Sequence, residues 1–367
     1  MSGQRAGGRI FGLDVMRAAG GILVVLAHTG WLVSTHWPRF PMVPHVDWVD
    51  LFFVLSGFLI GGMLLDATES KGTPGFRLID FLQRRWLRSI PNYWLFVLVN
   101  VLLLMAGLAP GLLNDRAWAY MVFMQNLHEP LDLFFWESWS LAVEEWFYLL
   151  FPIIVFGSMA LFSWRGKQSF LLGCIIFITF PIAARFVVAH HVVDPLTWGL
   201  WVKKLVITRL DAPGLGMLAA YISRGWPKRW HALRWLAFLL GAAILFTVGT
   251  TTYEEAPVFV TYGLESVAPF SVALLLPLLS AWRSGGMLSN PIRRLSLITY
   301  ALYLIHMPMV YLFGKYVEHP VAWVCAFRYA LLLAAMLCLS ALVFLFWERP
   351  FMKLRDPMGR WLRKRIA

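Results

Sequence analysis

The sequence is poor in charged residues and in cysteine. Only 14% of its 367 residues are charged, 59% are hydrophobic, and the mean hydropathy is +0.67. Soluble globular domains do not combine so little charge with so much apolar composition. The three cysteines lie in apolar segments with no CxxC or nearby histidine spacing, which argues against disulfide and metal frameworks. The composition therefore predicts an integral membrane protein.

Ten segments are apolar enough to cross a bilayer, for which a helix needs roughly 20 residues. They cover residues 11–33, 49–66, 90–108, 139–162, 168–190, 205–223, 233–251, 258–282, 295–315 and 321–347. The first is too long for a cleavable signal peptide and lacks a small-residue cleavage site. Residues 116–127 are apolar but too few for a crossing, so we expect a re-entrant or interfacial helix there.

The fold predicted is an all-α polytopic transmembrane helix bundle without a separate soluble domain. One transmembrane domain accounts for residues 1–367, with the membrane bundle at 10–347 and a basic cytoplasmic tail at 348–367. That tail mixes aromatic and basic residues, which fits either a helix on an anionic inner leaflet or a disordered segment.

Basic residues are distributed unevenly between the two sides of the predicted bundle. With the N-terminus in the cytoplasm, 23 of the 32 Lys and Arg residues lie inside, five lie outside and four lie within spans. This asymmetry predicts that both termini are cytoplasmic. It also accounts for the formal net charge of +12 without a nucleic-acid partner.

The first apolar segment carries an acid, a base and an imidazole. Arg17 and His28 are eleven positions apart, so on a helix they point the same way to within roughly 20°, and Asp14 lies within roughly 40° of them. Ionisable groups at membrane depth are costly and usually face a bundle interior or a watery cavity. The alternative is a snorkelling Asp14–Arg17 pair and a histidine packed in the core.

The inner end of the third span carries Arg84, Arg85 and Arg88. Arg85 and Arg88 share a helix face because they are three residues apart. The cluster either anchors the inner end of the span in the membrane, as positively charged inside residues commonly do, or binds the phosphates of a nucleotide-based cofactor.

Two further spans carry polar groups, and Glu144 on the fourth span lies close to the depth of His28. Glu144 and Glu145 are adjacent on the fourth span, and Glu144 either orients the imidazole or pairs with an intramembrane arginine. Tyr303 and His306 lie three residues apart on the ninth span. Neighbouring Arg209 and Asp211 are expected to neutralise each other. Asp50 opens the second span from the outside, ahead of a small-residue face that permits close approach of a helix or a ligand.

Six blocks of sequence, taken in order, resemble the signature blocks of the acyltransferase-3 family. They read FGLDVMRAAGGILVVLAH, VDLFFVLSGFLI, RRWLRSIP, WSLAVEEWFYLLFP, RLDAPGLGMLAAYI and ITYALYLIHMPM, and the similarity extends from about residue 10 to the last span. Members of this family are O-acyltransferases of the bacterial inner membrane that modify surface glycans, lipid-linked sugars and some small molecules. The resemblance implies the same localisation and class of activity here.

The resemblance also implies roles for individual residues. The family's basic residue and histidine separated by ten residues match Arg17 and His28, and His28 is expected to be catalytic. The family's RxxR motif matches Arg85 to Arg88, and its WSLxxE block places the functional carboxylate at Glu144. Many relatives have Gln where this chain has Trp146, and several have an extracytoplasmic hydrolase-like domain that we do not find here. We expect the chain to complete the transfer itself or to pass the acyl group to a partner.

The predicted reaction uses a cytoplasmic acyl-CoA, most simply acetyl-CoA, as co-substrate and no metal. Its phosphates contact Arg84, Arg85 and Arg88, and its pantetheine arm passes Arg17 along the first helix. His28 is a general base or carries the acyl group, with Glu144 or Asp50 orienting its ring. The acceptor, a glycan or lipid-linked sugar in contact with membrane lipid, is assigned to Asp14, Glu145, Tyr303 and His306. A transporter or flippase for a lipid-linked glycan and a non-catalytic subunit are the alternatives.

Overall fold

The computed structural model describes residues 9–40, 47–69, 73–132 and 134–366. Within these ranges the chain is α-helical and contains no β-strand. Arg5 and Lys71, two of the basic residues counted on the inner side, lie outside the described ranges. The prediction of an all-α fold is confirmed.

The described residues contain sixteen α-helices. They are α1 (Phe11–Thr29), α2 (Val49–Glu69), α3 (Pro74–Met105), α4 (Trp118–Met121), α5 (Ser138–Phe162), α6 (Gly166–Val188), α7 (Pro195–Trp198), α8 (Asp211–Gly225), α9 (Pro227–Ala232), α10 (Arg234–Gly249), α11 (Pro257–Tyr262), α12 (Leu264–Ala281), α13 (Ser289–Phe313), α14 (Ala322–Val343), α15 (Arg349–Lys353) and α16 (Arg355–Ile366).

In the described part of the chain, eight helical stretches are long and apolar enough to cross a membrane. They contain α1, α2, α3, α5, α6, α12, α13 and α14. The predicted spans at 205–223 and 233–251 correspond to α8 and α10, which have only 15 and 16 residues. The prediction of a transmembrane helix bundle is confirmed, while the count of ten crossings and the side of the termini stay predictions.

The segment before α5 is folded into the bundle and does not form a spanning helix. Its helix α4 has four residues, too few to cross a bilayer. The Tyr93 hydroxyl on α3 donates to the carbonyl oxygen of Tyr120 at 2.8 Å, and the Trp146 indole on α5 donates to that of Phe123 at 2.9 Å. Trp146 therefore anchors this segment.

Close helix packing explains the small-residue face of α2. A Cβ added at Gly57 would collide with the carbonyl oxygen of Pro213 on α8, and one added at Gly216 would collide with that of Val54 on α2. Gly61 likewise faces Ala220 of α8. These glycines let the two backbones approach each other, so this face serves packing between helices.

Two buried arginines join four helices through ion pairs. Arg209 contacts Glu265 of α12 and donates to Asp50 of α2 at 2.5 Å, and Arg185 of α6 donates to Asp211 of α8 at 2.6 Å. The expectation that Arg209 and Asp211 neutralise each other is therefore wrong. Their separate partners satisfy charges whose burial alone would cost several kcal/mol.

Helices α1 and α13 lie side by side along their whole length. Ser296 of α13 donates to Asp14 at 2.9 Å, a Cβ at Gly21 would meet Thr299, and His28 contacts His306. Contacts therefore recur from one end of the pair to the other. This alignment brings His28 and His306 together, although 277 residues separate them in the sequence.

Candidate functional site

Two histidines form a hydrogen-bonded pair near the C-terminal end of α1. Nδ1 of His28 lies 2.8 Å from Nε2 of His306, and the two rings stack with their centroids 5.1 Å apart and an interplanar angle of 11°. His306 is completely buried, whereas the side chain of His28 is exposed. The pair thus presents one of its two rings at the protein surface.

The hydrogen bonds of the pair determine which ring nitrogen is free. Nδ1 of His306 lies 2.5 Å from the carbonyl oxygen of Tyr303, which can only accept, so this nitrogen carries the proton. In a neutral ring Nε2 of His306 is then an acceptor, and it accepts from Nδ1 of His28. The lone pair of His28 consequently resides on Nε2, which makes no hydrogen bond within the described residues. That nitrogen can act as a base or a nucleophile.

The carboxylates expected to orient His28 have other partners. Glu144 accepts from the hydroxyls of Ser56 and Tyr148, both at 3.1 Å, and Asp50 accepts from Arg209. Neither of these carboxylates hydrogen-bonds to His28. His306 occupies the position beside Nδ1 of His28, and its assignment to acceptor binding stays a prediction.

A cavity of about 370 Å³ lies between α1, α2, α3, α5 and α13. Four guanidinium groups line its basic end and one carboxylate lies beside them: Arg17, Arg85, Arg88, Arg355 and Glu144. Its apolar wall comes from α2, including Phe52, Leu59, Ile60 and Met63. In the described residues no three His, Cys, Asp or Glu side chains converge to hold a metal ion.

The other end of the cavity reaches Tyr303, which contacts the histidine pair. The Tyr303 ring centroid lies 5.5 Å from that of His306, and its hydroxyl is 2.6 Å from Oγ of Ser140 and donates to the carbonyl oxygen of Glu137 at 2.9 Å. Both Tyr303 and Ser140 line the cavity, but neither histidine does. One side chain therefore separates the cavity from the histidine pair.

The predicted cofactor residues differ in their placement. Arg17, Arg85 and Arg88 line the cavity, and the Arg85 guanidinium lies 4.5 Å from the centroid of the Tyr148 ring. Arg84 does not line it, because its guanidinium is bound to Asp80 and Asp356 at 3.2 and 3.1 Å.

Two residues assigned to acceptor binding are buried away from the cavity. Asp14 is paired with Arg9 and accepts from Ser296, so its carboxylate anchors α1 to α13. Glu145 is buried and does not line the cavity. Their geometry favours structural roles for both.

Arg355 was missed by sequence reasoning. It lies in the basic tail, where its neighbours Arg360, Arg363 and Arg365 offer no distinction by residue type or spacing. Only the packing of α16 against α3 brings Arg355 to the cavity. No signal in the sequence alone could have identified it.

The comparisons with known proteins concern this same bundle. A family model described as an acyltransferase domain matches residues 10–347. The peptidoglycan O-acetyltransferase OatA of Listeria monocytogenes is 26% identical over 93% of this chain and 55% of its own length, and the O-acetyltransferase OatA of Staphylococcus aureus is 25% identical over 93% and 57%. The putative peptidoglycan O-acetyltransferase YrhL of Bacillus subtilis is 25% identical over 85% and 50%.

The chain spans about half the length of the curated relatives it matches. The family model, in contrast, covers nearly the whole chain, including α1 with His28, α3 with its arginines and α13 with His306. The resemblance seen in the six sequence blocks is therefore confirmed, and the chain belongs to the acyltransferase-3 family.

Proposed function

We propose that the protein transfers an acyl group, in the simplest case acetyl, from acyl-CoA to a hydroxyl of a cell-surface or lipid-linked glycan. Three relatives bear the name O-acetyltransferase, two of them with peptidoglycan as the acceptor. The observation that carries the proposal is a cavity that, within the described residues, is lined both by four arginines and by Tyr303, whose ring contacts that of His306. In this proposal the arginines lie at the cytoplasmic face of a bacterial inner membrane.

The basic end of the cavity is suited to the phosphates of the donor. Arg85 and Arg88 line it from one face of α3, and Arg17 lines it from α1. Guanidinium groups bind phosphate through paired, charge-assisted hydrogen bonds. The acyl thioester would then extend along the apolar wall of α2 toward Tyr303.

His28 supplies the base for the transfer. Its Nε2 removes the proton of the acceptor hydroxyl as the oxygen attacks the thioester carbonyl carbon. The carbon–sulfur bond breaks, and the sulfur leaves with the proton that Nε2 carries. His306 holds the ring in the tautomer that leaves Nε2 unprotonated at the start. In the covalent version Nε2 attacks the carbonyl carbon, the carbon–sulfur bond breaks, and the CoA thiolate leaves as an acyl-imidazolium forms. The acceptor hydroxyl then attacks the acyl carbon, the carbon–nitrogen bond breaks to restore the neutral imidazole, and the hydroxyl proton passes to the thiolate.

The experiment that tests this proposal uses purified protein, radiolabelled acetyl-CoA and a membrane lipid and glycan extract. We expect the label to appear as an ester on the acceptor, and His28→Ala to lower this rate by about 10²–10⁴-fold. His231→Ala, at an exposed position outside the site, is the matched control and should retain the wild-type rate. Equal rates in both variants would contradict the proposed role of His28.

The same preparation distinguishes the acyltransferase from the alternative, a transporter. A flippase would move a lipid-linked glycan across a vesicle membrane without acyl-CoA and would leave no label on it. Translocation of that kind, with no ester formed by the wild-type protein, would contradict the acyltransferase proposal.

A further inference from the structure

The C-terminal helix α16 is docked on α3 by polar contacts. Nη1 of Arg84 donates to Asp356 at 3.1 Å, and Nε2 of Gln83 donates to the carbonyl oxygen of Arg355 at 3.4 Å. Gly359 faces the same patch, since a Cβ there would lie 3.0 Å from Arg84 and 3.1 Å from Asp80. The first turn of α16 is therefore held against the helix that carries Arg85 and Arg88.

This docking makes Arg355 part of the cavity wall. Its Nε and Nη2 atoms are shielded from solvent and have no hydrogen-bond partner in the described residues, and Nε of Arg85 is in the same condition. Buried polar groups are nearly always paired in folded proteins, and an unpaired guanidinium donor is costly. Three such donor atoms on two guanidinium groups at one cavity indicate a site whose partner is a bound molecule.

The charge of the site identifies the class of that molecule. Among the residues that the structure describes, four guanidinium groups and one carboxylate, that of Glu144, line the cavity. Glu348 also lies near Arg355 and Arg88, but neither of its carboxylate oxygens makes a hydrogen bond to a described residue. The excess of forked donors fits a ligand with several phosphate oxygens.

We propose that Arg355 of the docked helix α16 binds a phosphate group in the cavity together with Arg85. The inference rests on the proposed function, because the donor phosphates are one source of that group, and the headgroup of an anionic lipid is the other. Arg355 lies beyond residue 347, the last residue that the family model matches. The C-terminal helix would thus add a binding residue that the matched region does not contain.

The test compares Arg355→Gln with Arg360→Gln in full-length protein. Arg360 lies exposed on the same helix, so its replacement removes the same charge outside the cavity. Binding of CoA is measured by titration calorimetry in nanodiscs made of zwitterionic lipid only, with no acceptor present. We expect Arg355→Gln to weaken CoA binding by about tenfold or more, Arg355→Lys to weaken it less, and Arg360→Gln to leave it unchanged.

The lipid source is examined in parallel. The same variants are placed in nanodiscs containing phosphatidylglycerol, and the lipid that stays bound is measured by native mass spectrometry. Loss of bound phosphatidylglycerol in Arg355→Gln, with unchanged CoA binding, would identify a lipid phosphate as the ligand. Equal CoA and lipid binding by wild type and Arg355→Gln would overturn the proposal.

Failure of the proposed function would look different. If the wild-type protein binds no CoA in either kind of nanodisc, the assignment of acyl-CoA as the donor fails. The role of Arg355 is then decided by the measurement of bound phosphatidylglycerol alone. Because α16 could undock when Arg355 is replaced, Asp356→Asn serves as a second variant. It leaves Arg355 in place but removes the charge that pairs with Arg84, and we expect this weaker docking to weaken phosphate binding as well.

Discussion

At the scale of single residues, the unusual feature is a histidine oriented by a second histidine. A carboxylate partner would stabilise a protonated imidazole, whereas a neutral imidazole supplies only the acceptor that fixes the tautomer. In the proposed reaction His28 is therefore a neutral base or nucleophile at the surface of the bundle. His306 can perform this task because its own Nδ1 proton is directed to the carbonyl oxygen of Tyr303.

Replacing His306 tests this positioning role. We expect His306→Ala to lower kcat by about 10–100-fold, by analogy with partners that orient metal-binding histidines, and to leave the KM for acyl-CoA unchanged. His306→Gln offers an amide oxygen as acceptor for Nδ1 of His28 and should restore part of the lost rate. Steady-state kinetics on both variants provide the measurement. A lost rate that is equal in the two variants would indicate that His306 only fills space.

A second residue-scale feature is an ammonium group placed over an aromatic ring. Nζ of Lys204 lies 3.4 Å from the centroid of the Trp136 ring, and the backbone oxygen of Lys204 accepts from Asn126 at 2.6 Å. Burial, with a smaller contribution from the neighbouring charge of Lys203, lowers the pKa of Lys204 to about 7. Because a lowered pKa favours the neutral amine, Lys204 should be about half deprotonated at pH 7.

The reactivity of Lys204 checks this pKa. Between pH 7 and pH 9 its rate of modification by a small amine-reactive ester should rise only about twofold, while that of an ordinary lysine with a pKa near 10.4 rises about a hundredfold. Pulse labelling of the folded protein followed by peptide mass spectrometry measures the rate for Lys204, and a short unstructured peptide with one lysine is the reference. A hundredfold rise for Lys204 would contradict the lowered pKa.

At the scale of helices, the contact between α2 and α8 depends on the absence of side chains. Gly57→Ala would push a methyl group into the carbonyl oxygen of Pro213, so we expect it to destabilise the protein by roughly 1–3 kcal/mol. Gly157→Ala on α5 is the matched control, because a Cβ there meets nothing within 4 Å. Thermal unfolding in detergent should show a lower Tm for Gly57→Ala alone. Equal Tm values for the two variants would contradict the packing account.

Helix positions were predictable from apolar runs, but several ends were not. The predicted span at 139–162 matches α5, whereas the span predicted at 90–108 belongs to a helix that begins at Pro74. The arginines at 84–88 ended the apolar run without ending the helix, since basic residues are good helix formers. Conversely, residues 205–210 belong to a predicted span but lie before α8 begins at Asp211.

At the scale of the whole molecule, the sequence predicted the residues of the site better than their partners. One cavity is lined by four of the predicted site residues: Arg17, Arg85, Arg88 and Glu144. The spacing of charged residues along a helix indicates which of them share a face, so this part of the site was open to prediction. The pairing of His28 with His306 and of Arg209 with Asp50 depends on how helices far apart in sequence cross. Arg355 lines the cavity only because the C-terminal helix α16 packs against α3. Neither kind of information is present in local patterns.

The central claim is that one bundle connects a donor at the arginine end of the cavity to an acceptor at His28. Its most direct measurement uses proteoliposomes with radiolabelled acetyl-CoA sealed inside and the glycan acceptor added only outside. We predict that the outer acceptor becomes labelled with the wild-type protein and not with His28→Ala. Labelling that requires donor and acceptor in the same compartment would contradict the account.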